Sequence, residues 1–206
     1  MQRVNAFRSQ ALALAPAPFE FYDPAMAQAS TLYRFKIELS DVDRSVYVPL
    51  DVRMAKHPSE TDAFLLTRVL AYALNYEDGL SFSEGLCSPD EPAIRVSGQH
   101  GEITLWIDIG NPNPRRLHKA SKAARKVRVY TYKNAENLKK EAKGETIHRM
   151  EEIEIFSFEP SFLSDLTSIL RRDNAWGLIH TEGEIVVTTG DATIVGTMSP
   201  HRLTGE

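Results

Sequence analysis

The chain has 206 residues, a formal net charge of −4, 42% hydrophobic and 25% charged residues, and one cysteine. That balance suits one compact domain and excludes a collagen-like repeat, a long disordered polymer, a disulfide scaffold and a multi-cysteine zinc site. No uncharged apolar run reaches the roughly 20 residues that cross a bilayer, and a lone Cys87 suits a reducing compartment, so the expectation is a cytoplasmic protein without a membrane segment.

Residues 1–29 are Ala- and Pro-rich with no sustained period, and Pro16 and Pro18 cut the apolar run Ala11–Ala15 too short for a signal-peptide core. They read as a disordered leader or as a start set too early, followed by one domain over 30–200 and a short tail over 201–206. Thr31 to Leu39 alternates, with Leu32, Tyr33, Phe35, Ile37 and Leu39 apolar, and Val46 to Met54 repeats the pattern. With Asp41-Val42-Asp43-Arg44 as the turn, the two form a hairpin.

Pro58, Ser59 and Asp62 mark a helix start, and the helix runs to about Tyr76, with Phe64, Leu65, Val69, Leu70, Ala73 and Leu74 as its buried side. Short strands follow at 80–82 and 93–97, then a sharp one at 102–110 with Ile103, Leu105, Ile107 and Ile109 on one face. A helix over 115–126, a strand over 127–132, a short helix over 134–143, a strand over 153–158 and a helix over 160–171 come next. Closing strands fall at 178–180, 184–188 and 193–198, with Glu182-Gly183 as a hairpin turn. The order predicts an α+β fold with a mixed central β-sheet flanked by helices.

Charge is unevenly spread. Between Asn113 and Lys143 eleven Lys and Arg face two acids, a net +9 inside a chain that is otherwise −13. Such a strip suits phosphate, although a solvated helix face has the same composition. Lys119, Lys122 and Lys126 follow i, i+3, i+7 and predict one row on a helix, extended by Arg115. Four acidic residues stand out, at three places in the chain. Asp108 tips the apolar strand Trp106-Ile107-Asp108-Ile109-Gly110, where a carboxylate requires water, a cation or the role of capping the turn over 111–114. Asp90 and Glu91 lie in the loop before the 93–97 strand, and Glu60 opens the first helix. Carboxylates converging on one point suit Mg²⁺. There is no glycine-rich phosphate loop, no HExxH and no GxSxG.

Ala55-Lys56-His57-Pro58-Ser59-Glu60-Thr61, Gly85-Leu86-Cys87 with Asp90-Glu91-Pro92, Leu105-Trp106-Ile107-Asp108-Ile109-Gly110, Lys119-Ala120 and Val129-Tyr130-Thr131-Tyr132 together resemble the YaeQ family over roughly residues 30–200. The resemblance implies a PD-(D/E)XK nuclease-like, restriction-endonuclease-like core with an added N-terminal hairpin and C-terminal strands. It further implies Mg²⁺-dependent phosphodiester hydrolysis on DNA or RNA. Carried onto this chain, Glu60, Asp108 and either Asp90 or Glu91 hold the metal. The superfamily lysine normally stands two positions after the strand acid, where this chain has Gly110, so Lys119 or Lys122 supplies it from the following helix. Arg115, Arg116 and Lys126 are the expected nucleic-acid contacts. The rival expectation is a monomeric, non-catalytic module that binds nucleic acid or a protein through the basic strip over 115–143.

Overall fold

The computed structural model describes residues 30–83 and 91–204; the leader, Cys87 and Asp90 lie outside them. Ten strands form one mixed sheet in the order β2-β1-β8-β9-β10-β7-β6-β5-β4-β3. Strands β1 (Thr31–Asp41) and β2 (Val46–Lys56) pair along their whole length, from Thr31 opposite Lys56 to Asp41 opposite Val46. Phe35, Ile37 and Leu39 face inward with Leu50, Val52 and Met54. Leu32 instead points outward and is 60% exposed, because strict alternation from Phe35 places position 33, not 32, on the inner face.

Helix α1 (Asp62–Leu74) starts one turn later than the sequence suggested. Thr61 is the N-cap, and its hydroxyl accepts from the Phe64 amide at 3.2 Å. Glu60 therefore precedes the cap. The helix ends at Asn75, and Arg44 from the β1–β2 turn donates to the carbonyls of Tyr76 (3.1 Å) and Ala73 (3.5 Å), supplying positive charge where the macrodipole favours it. Gly79, at φ +84°, turns the chain into the next strand.

The meander β3 (Leu80–Phe82), β4 (Ile94–Ser97) and β5 (Ile103–Ile109) is antiparallel throughout. Helix α2 (Pro114–Ala123) then crosses back, and β6 (Ala124–Thr131) runs parallel to β5. The element order helix, three-strand meander, helix, parallel strand follows from this. Helix α3 (Ala135–Ala142), strand β7 (Glu154–Phe158, parallel to β6) and helix α4 (Pro160–Ile169) follow. Strand β8 (Asp173–Thr181) lies parallel to β1, and β9 (Glu184–Thr188) and β10 (Thr193–His201) close the sheet. β8 and β10 are longer than their apolar stretches because polar residues at their ends are paired by the neighbouring strands.

Two apolar clusters fill the interior. The larger joins inward residues from both ends of the strand order, such as Met54 and Leu80, around α1 and α4, so the sheet curls about these helices. That curl buries α1 on nearly its whole circumference, Leu66 and Ala71 included, rather than along one stripe. The smaller cluster lies on the opposite face of β5–β7 and packs Trp106, Val127, Val129 and Ile155 against Leu117 and Ala120 of α2 and Leu138 of α3.

Candidate functional site

Strand β5 carries Leu105 and Ile107 towards α1 and, on the alternate positions, Trp106 and Asp108 towards α2. Asp108 is 2% exposed. A carboxylate in that setting requires a charged, hydrogen-bonded partner, and the partner is Arg116. Its Nε donates to Asp108 Oδ2 at 2.8 Å and its Nη2 to Oδ1 at 2.6 Å, the two-pronged geometry that makes arginine–carboxylate pairs strong and directional. Nη2 also donates to the Glu91 carbonyl at 2.7 Å, and the guanidinium carbon lies 5.8 Å from the Trp106 ring centroid.

Local sequence explains how this pair is set. Strand β5 ends at Ile109, and Gly110 leaves it at φ +87° while its amide donates to Tyr130 O at 2.8 Å. Pro112 and Pro114 carry the chain over the sheet end, and Asn113 caps α2 by accepting from the Arg116 amide at 2.9 Å. Arg116 is thereby the third residue of the helix, directly above the acid. The turn over 111–114 is capped by Asn113, not by Asp108.

Glu60 has its own arrangement. It accepts from the His57 amide at 3.0 Å and from Arg68 Nη1 at 3.4 Å, and the side chains of both members of this ion pair are less than a tenth exposed. Arg68 also donates to Ala55 O at 2.7 Å and lies over the Phe64 ring at 5.4 Å, so it ties the end of β2 to α1. This assembly belongs to the α1 side of the sheet, whereas Asp108 faces α2.

The structure therefore brings Asp108 together with Arg116 and the backbone of Glu91, and Glu60 with Arg68. Among the described residues no group of three or more His, Cys, Asp or Glu gathers where it could hold a metal ion. With both Asp108 oxygens engaged by a guanidinium, the described acids do not fit a preformed Mg²⁺ centre. Asp90 lies outside the described residues. Two cavities, of about 710 Å³ beside Phe156 and His201 and about 180 Å³ beside Arg125 and Arg149, have none of these acids in their walls.

The basic strip is divided. Arg115, Lys119 and Lys122 are exposed on α2, while Arg116 turns inward. Lys126 does not continue their row, because α2 ends at Ala123 and Lys126 belongs to β6. Its neighbours Val127 and Val129 face α2, so alternation turns Lys126 away from that helix. Sequence reasoning missed Arg116 and Arg68 as partners of the acids. The available signal was an arginine in the first turn of a helix joined by a short turn to an acid-tipped strand. Trp106 and Tyr130, at 1% and 2% exposure, are core residues.

Fold and site together define a mixed α+β protein in which a strand-end acid is neutralised by an arginine from the next helix. The YaeQ protein family model matches residues 26–198, and the chain belongs to that family. Similar curated proteins are the "Uncharacterized protein YaeQ" of Escherichia coli K12 and that of Shigella flexneri, each 36% identical over 107 residues, and that of Salmonella typhi at 35%. Those alignments cover 52% of this chain and 59% of each relative, so the chain spans under two thirds of the relatives' length. The crystal structure of YaeQ protein from Xanthomonas axonopodis pv. citri superposes with a TM-score of 0.77 at 28% identity, covering 84% of this chain and 99% of that one. The YaeQ protein from Pseudomonas syringae gives 0.75 at 29%, covering 87% and 99%. No described helix is long and apolar enough to cross a membrane.

Proposed function

We propose that this protein is a cytoplasmic, monomeric nucleic-acid-binding module built on a PD-(D/E)XK nuclease-like frame, with its acidic centre closed by arginine. The observation that carries this reading is the grip of Arg116 on Asp108. Support for the frame comes from the order of α1, the β3–β4–β5 meander, α2 and the parallel β6. Arg115 and Lys122 on α2 offer phosphate contacts, which position a strand without reading its sequence. Fluorescence anisotropy with labelled DNA and RNA oligonucleotides tests it. The expected binding weakens steeply with salt, persists in EDTA, and survives Asp108→Asn. Binding that requires Mg²⁺, or none at low salt, overturns the reading.

A second reading is Mg²⁺-dependent phosphodiester hydrolysis, favoured by the position of Asp108 at the end of the third meander strand with Lys119 on the helix that follows. Its ligands are Asp108, Glu60 and Asp90 or Glu91, with Lys119 or Lys122 as the lysine. A bound divalent ion would supply hydroxide at neutral pH and shield developing charge. Arg116 must first leave Asp108. Calorimetry with Mg²⁺ or Mn²⁺, comparing the native chain with Asp108→Asn, and a nuclease assay decide it.

A further inference from the structure

Strand β6 begins where α2 ends, and this junction carries cations that the contacts along α2 leave unused. Ala124 is both the C-cap of α2 and the first residue of β6, so Arg125 and Lys126 follow the helix with no intervening loop. Both residues are exposed, and neither side chain has a hydrogen bond or an ion pair among the described residues. Arg149 reaches the same junction from the chain ahead of β7. It stands at φ +46°, just before the turn Met150–Glu152. Its guanidinium donates to the carbonyls of Ala124 at 2.6 Å and Arg125 at 3.2 Å, and to that of Ser121. These bonds satisfy the last turn of α2, where the macrodipole favours a cation, and they fix the group in place. They use Nη1 and Nη2 only, and Nε is buried without an acceptor.

Arg125, Lys126 and Arg149 share the wall of the cavity of about 180 Å³ with Glu152 and Glu154. Both carboxylates are already held by arginines: Glu152 by Arg149 Nη1 at 3.3 Å, and Glu154 by Arg128 Nε at 2.6 Å from outside the wall. The wall is left with two cations, Arg125 and Lys126, that only an anion from outside the chain can pair. We infer that this cavity is a phosphate-binding site, filled by inorganic phosphate or by the terminal phosphate of a nucleic-acid strand. Its volume is below the roughly 300 Å³ at which cavities take drug-sized ligands, so it admits a small ion and not a whole nucleotide. A tetrahedral group presents oxygens in several directions, which suits cations arriving from β6 and from the turn before β7. Arginine forks onto such oxygens, and lysine meets them as a point charge. A terminal phosphate carries nearly two charges at pH 7, against one for an internal phosphodiester, and is the stronger partner. The inference rests on the nucleic-acid reading only for the second of the two sources.

Calorimetric titration of the full chain with inorganic phosphate reads the site directly. Arg125→Gln and Lys126→Gln change exposed positions, and circular dichroism checks their fold; Arg149 stays in place because it holds the end of α2. Lys36→Gln, at an exposed position of β1, removes the same charge elsewhere. The native chain is expected to show one saturable site, which Arg125→Gln and Lys126→Gln each weaken about tenfold and Lys36→Gln leaves unchanged. Fluorescence anisotropy with 3′-labelled dT12 separates the two sources. A 5′-phosphate that tightens binding to the native chain about tenfold over a 5′-hydroxyl, and does not with Lys126→Gln, assigns the cavity to a strand end. Equal binding of the two strands, with inorganic phosphate still held, assigns it to the free ion. A native chain that shows neither saturable phosphate binding nor a preference for the 5′-phosphate overturns the inference. Phosphate binding that Lys36→Gln weakens as much as Lys126→Gln also overturns it, because a general charge effect then explains the result. If dT12 fails to bind in either form, the nucleic-acid reading falls, while the calorimetry still decides the cavity.

Discussion

The Nδ1 atom of His180 lies 3.1 Å from Oδ1 of Asp41, linking β8 to the end of β1 where the parallel register sets residue 180 opposite residue 41. Asp41 has no solvent exposure, and its other oxygen accepts from Arg44 Nε at 2.6 Å. Because Arg44 also holds the carbonyls at the end of α1, this carboxylate couples the hairpin turn, the central helix and β8. Burial opposes its charged form, but the hydrogen bonds from Arg44 and His180 outweigh burial and hold its carboxyl below the ordinary carboxylate range. A lowered folded value means that the stabilisation is present above the unfolded value, about 3.9, and is lost as pH falls through the folded one. Asp41→Asn is expected to lose about 2 kcal/mol at pH 7. Urea titrations at successive pH values check this: the gap between variant and native chain should shrink below about pH 4, and a gap independent of pH would refute the assignment.

Gly110 stands two positions after Asp108, at the point where the chain leaves β5. At φ +87° any side chain there strains the backbone by about 1–2 kcal/mol. A Cβ would meet Tyr132 Cε1 at 3.5 Å, an ordinary contact, so the backbone alone sets the cost. Gly110→Ala should lower the urea midpoint accordingly, and Gly110→Lys should do the same without conferring hydrolysis. An unchanged midpoint would show that the turn relaxes.

Gly196 presents the opposite case. Its backbone is not left-handed, but a Cβ there would overlap the buried ring of Phe162 where α4 packs on β10. Gly196→Ala therefore acts through overpacking and should cost about 1–3 kcal/mol. Pairing it with Phe162→Leu should restore part of the loss, which thermal unfolding of the two variants and their combination would read as a coupling.

The division of the basic strip has a direct consequence for the proposed nucleic-acid binding. Lys122 shares a helix with Arg115, whereas Lys126 emerges from β6 turned away from α2. Lys122→Glu is expected to weaken oligonucleotide binding and to reduce the salt slope by about one. Lys126→Glu should change both less. Equal effects from the two reversals would place the bound strand over the sheet end rather than along α2.

Much of the fold was legible because alternation and caps are local signals. The hairpin of β1 and β2, the acid-tipped β5 and the Glu182–Gly183 turn follow from a few consecutive residues, and both turn residues have positive φ. Strand order was not legible: the parallel pairing of β1 with β8 joins Phe35 to Asn174, and nothing near either residue encodes the other. The site was half legible. Asp108 and Glu60 stood out as acids beside apolar runs, but their arginines lie eight residues away across a cap or a turn. Arg116 is indistinguishable in composition from Arg115, its solvent-facing neighbour; only the position of Asn113 as cap sets which of them turns inward. Lys126 was misplaced because helical spacing continued past the point where Arg125 and Lys126 had already entered a strand.

Strand β10 pairs with β9 through Thr193–Thr197 and with β7 through Met198–His201. It is thus the splice between the half of the sheet that begins with the hairpin and the half that carries Asp108. The half that carries Asp108 is made by Phe158, whereas the half that begins with the hairpin is complete only at Thr188, just ahead of β10. Completion of the sheet waits on β10, and a chain stopped ahead of residue 193 would present two unjoined β-edges, each open to pairing with another chain.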